Sequence, residues 1–164
     1  MNARRVVAMA GLVAALVACS AIPGASVSTA PVASGSSTDG IPDALVGAWT
    51  TTITNEDLRT AGITDEAGMA ENSGTFTMTI AGDGTWTTSQ ESTVPLRWPV
   101  FKGTTQATGP NSFRQRTTFP ADFAGDLVDF TWSIEDGALV LRVVNPPDAV
   151  LPIVTESHPW QPKE

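Results

Sequence analysis

Residues 74–81, GTFTMTIA, alternate strictly: Phe76, Met78 and Ile80 share one parity, and Thr75, Thr77 and Thr79 share the other. A period of two matches a strand, whose successive side chains point to opposite faces; a helix would scatter these three apolar residues around its circumference. The same period recurs in residues 45–54 (LVGAWTTTIT), with Gly47, Trp49, Thr51 and Ile53 on one face, and in residues 85–91, which carry Trp86. Gly82-Asp83-Gly84 joins two of these runs as a tight hairpin turn, where glycine accepts the backbone angles required. Further strands are expected at residues 100–107, 112–119, 127–134, 138–144 and 151–156, with turns at 108–111 and 135–137. The abundant Thr suits a pleated surface because it is β-branched. About eight strands in neighbour-to-neighbour order predict an all-β fold, an antiparallel up-and-down β-barrel that closes on itself to remove its edges.

Residues 55–73, between the first two strands, lack this alternation. Thr54 and Thr64 are placed to cap two short helices, each followed by acidic residues that suit the positive end of a helix, and Gly62 and Gly74 can end them. The reading is a short helix pair covering one mouth of the barrel, with Leu58, Ile63 and Met69 as its apolar faces.

The chain begins differently. Arg4 and Arg5 precede an unbroken apolar run from Val6 to Ala18, the pattern of a secretory signal and too short for a permanent span. Residues 1–18 are therefore expected to be a signal peptide. Residues 20–40 are almost all Ser, Ala, Gly, Thr, Val and Pro, which bury too little apolar surface to order themselves, so residues 19–40 read as a tether. The folded domain is residues 41–164. Across all 164 residues, 17 acidic side chains face 9 basic ones for a formal charge of -8, which excludes a nucleic-acid-binding surface. A single Cys excludes a disulfide framework within the chain.

Leu16-Val17-Ala18-Cys19 resembles the lipobox of bacterial lipoproteins. The resemblance implies that Cys19 becomes the new N-terminus and carries the lipid, placing the protein outside the cytoplasm and anchored to the cell membrane. Two or more acyl chains, at about 0.8 kcal/mol per buried methylene, make such an anchor stable. Leu45-Val46-Gly47-Ala48-Trp49 resembles the G-x-W first-strand signature of lipocalins and the wider calycin group, and a helix pair after that strand is similar to the lid of fatty-acid-binding proteins. The ending Thr155-Glu156-Ser157-His158-Pro159-Trp160 resembles the tail of small secreted actinobacterial proteins with lipocalin-like folds. Two family features are missing. There is no Tyr for the Arg-x-Tyr clamp on a fatty-acid carboxylate, and the basic residue that covers the lipocalin Trp has only Arg142 as a candidate.

An eight-stranded barrel has an interior just wide enough to be filled by side chains or to hold one small ligand, and both readings stand. Taking the more apolar face of each strand as inward, the cavity candidates are Phe76, Met78, Trp86, Phe101, Phe113, Gln115, Phe130 and Trp132, with Thr51, Thr88 and Gln90 as further polar contacts. Trp49, Ile53, Ile80, Ile134, Leu139, Leu141, Val143 and Ile153 share the inward side. Arg114 and Arg116 stand two apart, opposite in parity to Phe113 and Phe119; burying the two Phe puts both arginines outside. Asp122, Asp126 and Asp129 read as a solvated loop entering a strand, not as a calcium loop. His158, the single histidine, reads as a surface or tail-packing residue, and no metal or other cofactor is expected.

No pair of residues with matched acid and base roles emerges, so an enzyme is not expected. The expectation is a monomeric, membrane-anchored lipocalin-like protein that binds or carries a small hydrophobic ligand. The alternative is a surface interaction module or inhibitor with a solid barrel, presenting the proline-stiffened loops 92–99 and 145–152 to a partner protein.

Overall fold

The computed structural model describes residues 40–164; the expected signal peptide, Cys19 and the expected tether up to residue 39 lie outside the described residues. Seven strands follow one another in an antiparallel meander: β1 (Gly47–Ile53), β2 (Gly74–Ile80), β3 (Thr85–Glu91), β4 (Val100–Gly109), β5 (Ser112–Phe119), β6 (Leu127–Glu135) and β7 (Ala138–Val143). The short β8 (Gln161–Pro162) completes the sheet. Strand boundaries follow the alternation of the sequence, because a slip of one residue would turn every apolar side chain to water. On β2, Phe76, Met78 and Ile80 are all buried, as the threonine pattern requires.

Residues 151–156, expected to be the eighth strand, form instead the helix α3 (Val150–Glu156). The Asp148 carboxylate accepts the N–H groups of Val150 at 2.8 Å and Leu151 at 2.9 Å, and Pro152 sits in the first turn, where its missing N–H costs nothing. Closure falls to the residues after the helix. Trp160 and Leu139 of β7 exchange backbone hydrogen bonds of 2.8 Å, while Thr50 and Trp49 of β1 pair with Gln161 and Pro162. One short segment thus joins the first strand to the last and makes the sheet a nearly closed barrel. Beyond Leu139, α3 covers the edge of β7: the Glu156 carboxylate accepts the Val143 N–H at 2.8 Å and pairs with Arg142 at 3.0 Å.

The helix pair is present between β1 and β2 as α1 (Asn55–Thr60) and α2 (Glu66–Asn72). Thr54 caps α1 in a reciprocal box, its hydroxyl accepting from Asp57 N–H while the Asp57 carboxylate accepts from Thr54 N–H at 2.8 Å. The cap of α2 is Asp65, not Thr64; its carboxylate accepts the Gly68 N–H at 2.7 Å. Gly68 allows that approach, since a Cβ there would stand 2.9 Å from the same oxygen.

Leu45, in a 3-10 turn before β1, and Trp160 are buried at one end of the barrel, which is closed by them. At the other end Leu58 of α1 and Met69 of α2 enter the core beside Ile53 and Phe76. The side chains of Gln90 and Ser92 hold α2 down by donating to the carbonyls of Glu71, Ser73 and Ala70 at 2.8, 3.0 and 3.1 Å.

Candidate functional site

The eight cavity candidates converge on the barrel interior. Phe76, Met78, Trp86, Phe113, Gln115 and Phe130 are buried, and Phe101 and Trp132 are half-buried against the same core. Phe113 and Phe130, directly opposite across β5 and β6, stack with centroids 5.1 Å apart and planes at 22°. Gln115 donates to the Met78 sulfur at 3.9 Å, a weak acceptor for an amide.

Polar atoms on this inner wall fall into two groups. Gln90 spends its amide nitrogen on the carbonyls of Glu71 and Ser73 beside α2. By contrast the hydroxyls of Thr51 and Thr105 and the indole N–H groups of Trp86 and Trp132 are buried with no protein partner. Thr105, absent from the sequence-based set, was findable: it lies on the parity of Phe101, and its pairing opposite Gln115 places both side chains on one face.

The interior is not equally sealed along its length. Toward the closed end Trp49, Ile80, Trp86, Phe113, Leu139 and Trp160 are buried. At the other end α1 and α2 pack on each other, α1 also meets α3, and α3 lies on β7. Over β4 and β6 the inward-facing Phe101 and Val128 are only half-buried, and so is Val143 at the end of β7. Phe123, from the loop between β5 and β6, stands over Phe101 with centroids 5.4 Å apart. These half-buried side chains leave part of an apolar surface uncovered at this end.

A shift of register nearby turns one aromatic outward. Between Lys102 and Gly103 the pairing steps two residues along β5, from Phe119 to Thr117, so Phe119 shares the side of Lys102 and not that of Phe113. Phe119 is 47% exposed, against the expectation that it is buried, and meets Trp98 edge-on at 6.4 Å. Arg97 lies over the Trp98 ring at 5.0 Å and pairs with Asp122 at 3.1 Å.

Arg114 and Arg116 point outward as their parity requires. Arg114 forms a bidentate pair with Asp129, its cross-strand neighbour, at 2.7 and 2.9 Å. The hydrogen bonds from Arg114 hold the Asp129 carboxyl below the usual carboxylate range. Asp129 and Asp122 are thus partners of arginines on two different strands and loops. Arg142, the candidate to cover Trp49, points outward to Glu156; the Trp49 indole donates to the Leu45 carbonyl at 3.1 Å. Among the described residues no three His, Cys, Asp or Glu side chains gather as a metal site requires.

His158 is the tail-packing residue expected of it. Its Nε2 lies 3.1 Å from the Asp57 carboxylate, fastening the segment before β8 to α1. Beside it an open recess of about 460 Å³ runs along β1, lined by Thr50, Thr52, Thr54, His158 and Pro159. A smaller recess of about 140 Å³, lined by Ile41, Gly84 and Thr105 among others, lies at the turn between β2 and β3.

No family model, curated protein or solved structure matches this chain.

Proposed function

We propose that the protein is a lipid-anchored, extracytoplasmic, lipocalin-like carrier that binds a small apolar ligand through the end of the barrel over β4 and β6. The single observation that carries this reading is the half-buried apolar pair Phe101 and Val128, with Phe123 against Phe101, at the end of the barrel over β4 and β6. An inner wall left half-buried keeps apolar surface in contact with water, and a ligand that covers it gains roughly 25 cal/mol for each Å² removed from water. The G-x-W signature and the helix pair fit the same reading, and the lipobox at Cys19 supplies the anchor.

Mass spectrometry of organic extracts from the full chain carrying Cys19→Ser tests ligand binding without the attached lipid. A stoichiometric apolar compound, lost in Phe101→Asp, is expected; an empty chain would count against the carrier. Metabolic labelling tests the anchor: the parent chain should incorporate labelled palmitate and the Cys19→Ser chain should not.

A second reading, a protein-binding module, rests on the outward turn of Phe119 and its contact with Trp98, beside the proline-stiffened loop 92–99. Exposed aromatics and Arg are the residues most used as interface anchors. The two readings separate on Phe119→Ser, which should abolish capture of a partner from envelope extract while leaving the small-molecule extract unchanged.

A further inference from the structure

The polar groups inside the barrel restrict what chemistry its ligand has. On the wall formed by β3, β4 and β5, Thr105 stands opposite Gln115, and Trp86 stands opposite Gly103, the next inward position along β4. These three polar side chains therefore lie on one inward face across three neighbouring strands. Trp86 is 7% exposed, Thr105 6% and Gln115 7%, so none is served by bulk water. The Trp86 indole and the Thr105 hydroxyl have no protein partner, and the Gln115 amide nitrogen reaches only a thioether. Gly103 keeps the indole nitrogen in this place, since a Cβ would approach it to 2.7 Å.

Leaving a buried donor unpaired costs about 1–3 kcal/mol, so two such atoms beside a poorly served amide mark a place built for a further partner. The indole N–H and the amide NH₂ donate only, and a hydroxyl can donate as well; the complement is an acceptor oxygen. Charge narrows the choice. The buried polar residues described are Thr51, Thr105, Gln115 and Thr155, with no Lys, Arg or His among them. A carboxylate or phosphate brought here would lose its hydration with no counter-charge, which is strongly unfavourable.

We infer that the ligand is an uncharged apolar molecule carrying a carbonyl or ether oxygen, which Trp86, Thr105 and Gln115 hold by hydrogen bonds while Phe101 flanks its apolar part. This rests on the carrier reading above and names its ligand class; free fatty acids are excluded.

The test uses the full chain with Cys19→Ser and two probes matched in chain length, a medium-chain fatty acid methyl ester and its free acid, at neutral pH. Affinity is read from ligand-dependent thermal stabilisation. The ester should bind at least roughly tenfold more tightly than the ionised acid. Thr105→Val with Gln115→Leu, which removes the acceptor-seeking groups at little change of volume, should weaken the ester roughly tenfold and leave the acid unchanged. Equal binding of ester and acid by the parent chain overturns the inference while keeping the carrier, and needs no variant to fold. Ester binding untouched by the double substitution also overturns it. Binding of neither probe, together with an empty organic extract, removes the carrier reading itself.

Discussion

Gly103 has no side chain because two other groups occupy its place: a Cβ would fall on the Arg116 carbonyl and against the Trp86 indole. Backbone cannot yield as a flexible side chain does, so Gly103→Ala should destabilise the fold by about 1–3 kcal/mol, read as a lower denaturant midpoint. Thr105→Val is expected to act oppositely. It removes a buried hydroxyl with no partner and keeps the shape, so the melting temperature should hold or rise. Asp129 gives a pH signature. Its carboxyl is held below the ordinary value of 3.8 by Arg114, so its contribution is complete above that value and is lost as the pH falls through the lowered one. The melting temperature of the parent chain should therefore fall on acidification below about pH 4 more steeply than that of Asp129→Asn. At this scale the parity of Arg114 and Arg116 was legible in the sequence, since Phe113, of the opposite parity, must be buried. The identity of the partner was not, because Asp129 meets Arg114 only through the register of two strands. Nor was the exposure of Phe119, since a bulge adds a residue to one strand without altering the alternation on either side of it.

Among the elements, the helices show how local chemistry and tertiary contacts divide the work. Thr54 and Asp57 satisfy each other's backbone N–H groups, so Thr54→Ala should cost about 1 kcal/mol and increase amide exchange throughout α1. A cap of this kind is written in a few adjacent residues and was legible for α1. For α2 two adjacent residues, Thr64 and Asp65, are both good caps, and the carboxylate of Asp65 takes the Gly68 N–H. The segment VLPIVTE misleads for a different reason: its β-branched residues favour a strand, yet the residue that decides its form, Asp148, lies before it. Asp148 starts a helix there and Glu156, four residues past Pro152, fixes that helix on β7 by taking the Val143 N–H. Glu156→Ala should release this N–H, so exchange at Val143 should accelerate well beyond that of Val140, whose N–H faces β6 in the ladder.

The whole molecule depends on its last few residues. Trp160 is 2% exposed, its indole donates to the Thr155 carbonyl at 3.1 Å, and its backbone pairs with Leu139 while Gln161 and Pro162 pair with β1. A chain ending at Pro159 loses both the largest fully buried side chain and the bridge between β1 and β7. It should unfold without a sharp cooperative transition, or melt far below the parent, when followed by circular dichroism. Period-two alternation, turn glycines and capping residues are properties of neighbours along the chain. They determined, without reference to anything distant, the seven principal strands, the helix pair and the all-β class. Closure by Trp160, Gln161 and Pro162, the outward turn of Phe119, the half-buried end over β4 and β6, and the meeting of Trp86, Thr105 and Gln115 belong to tertiary structure alone. Each depends on which strands lie side by side and in what register, and that is settled by packing between residues far apart in sequence.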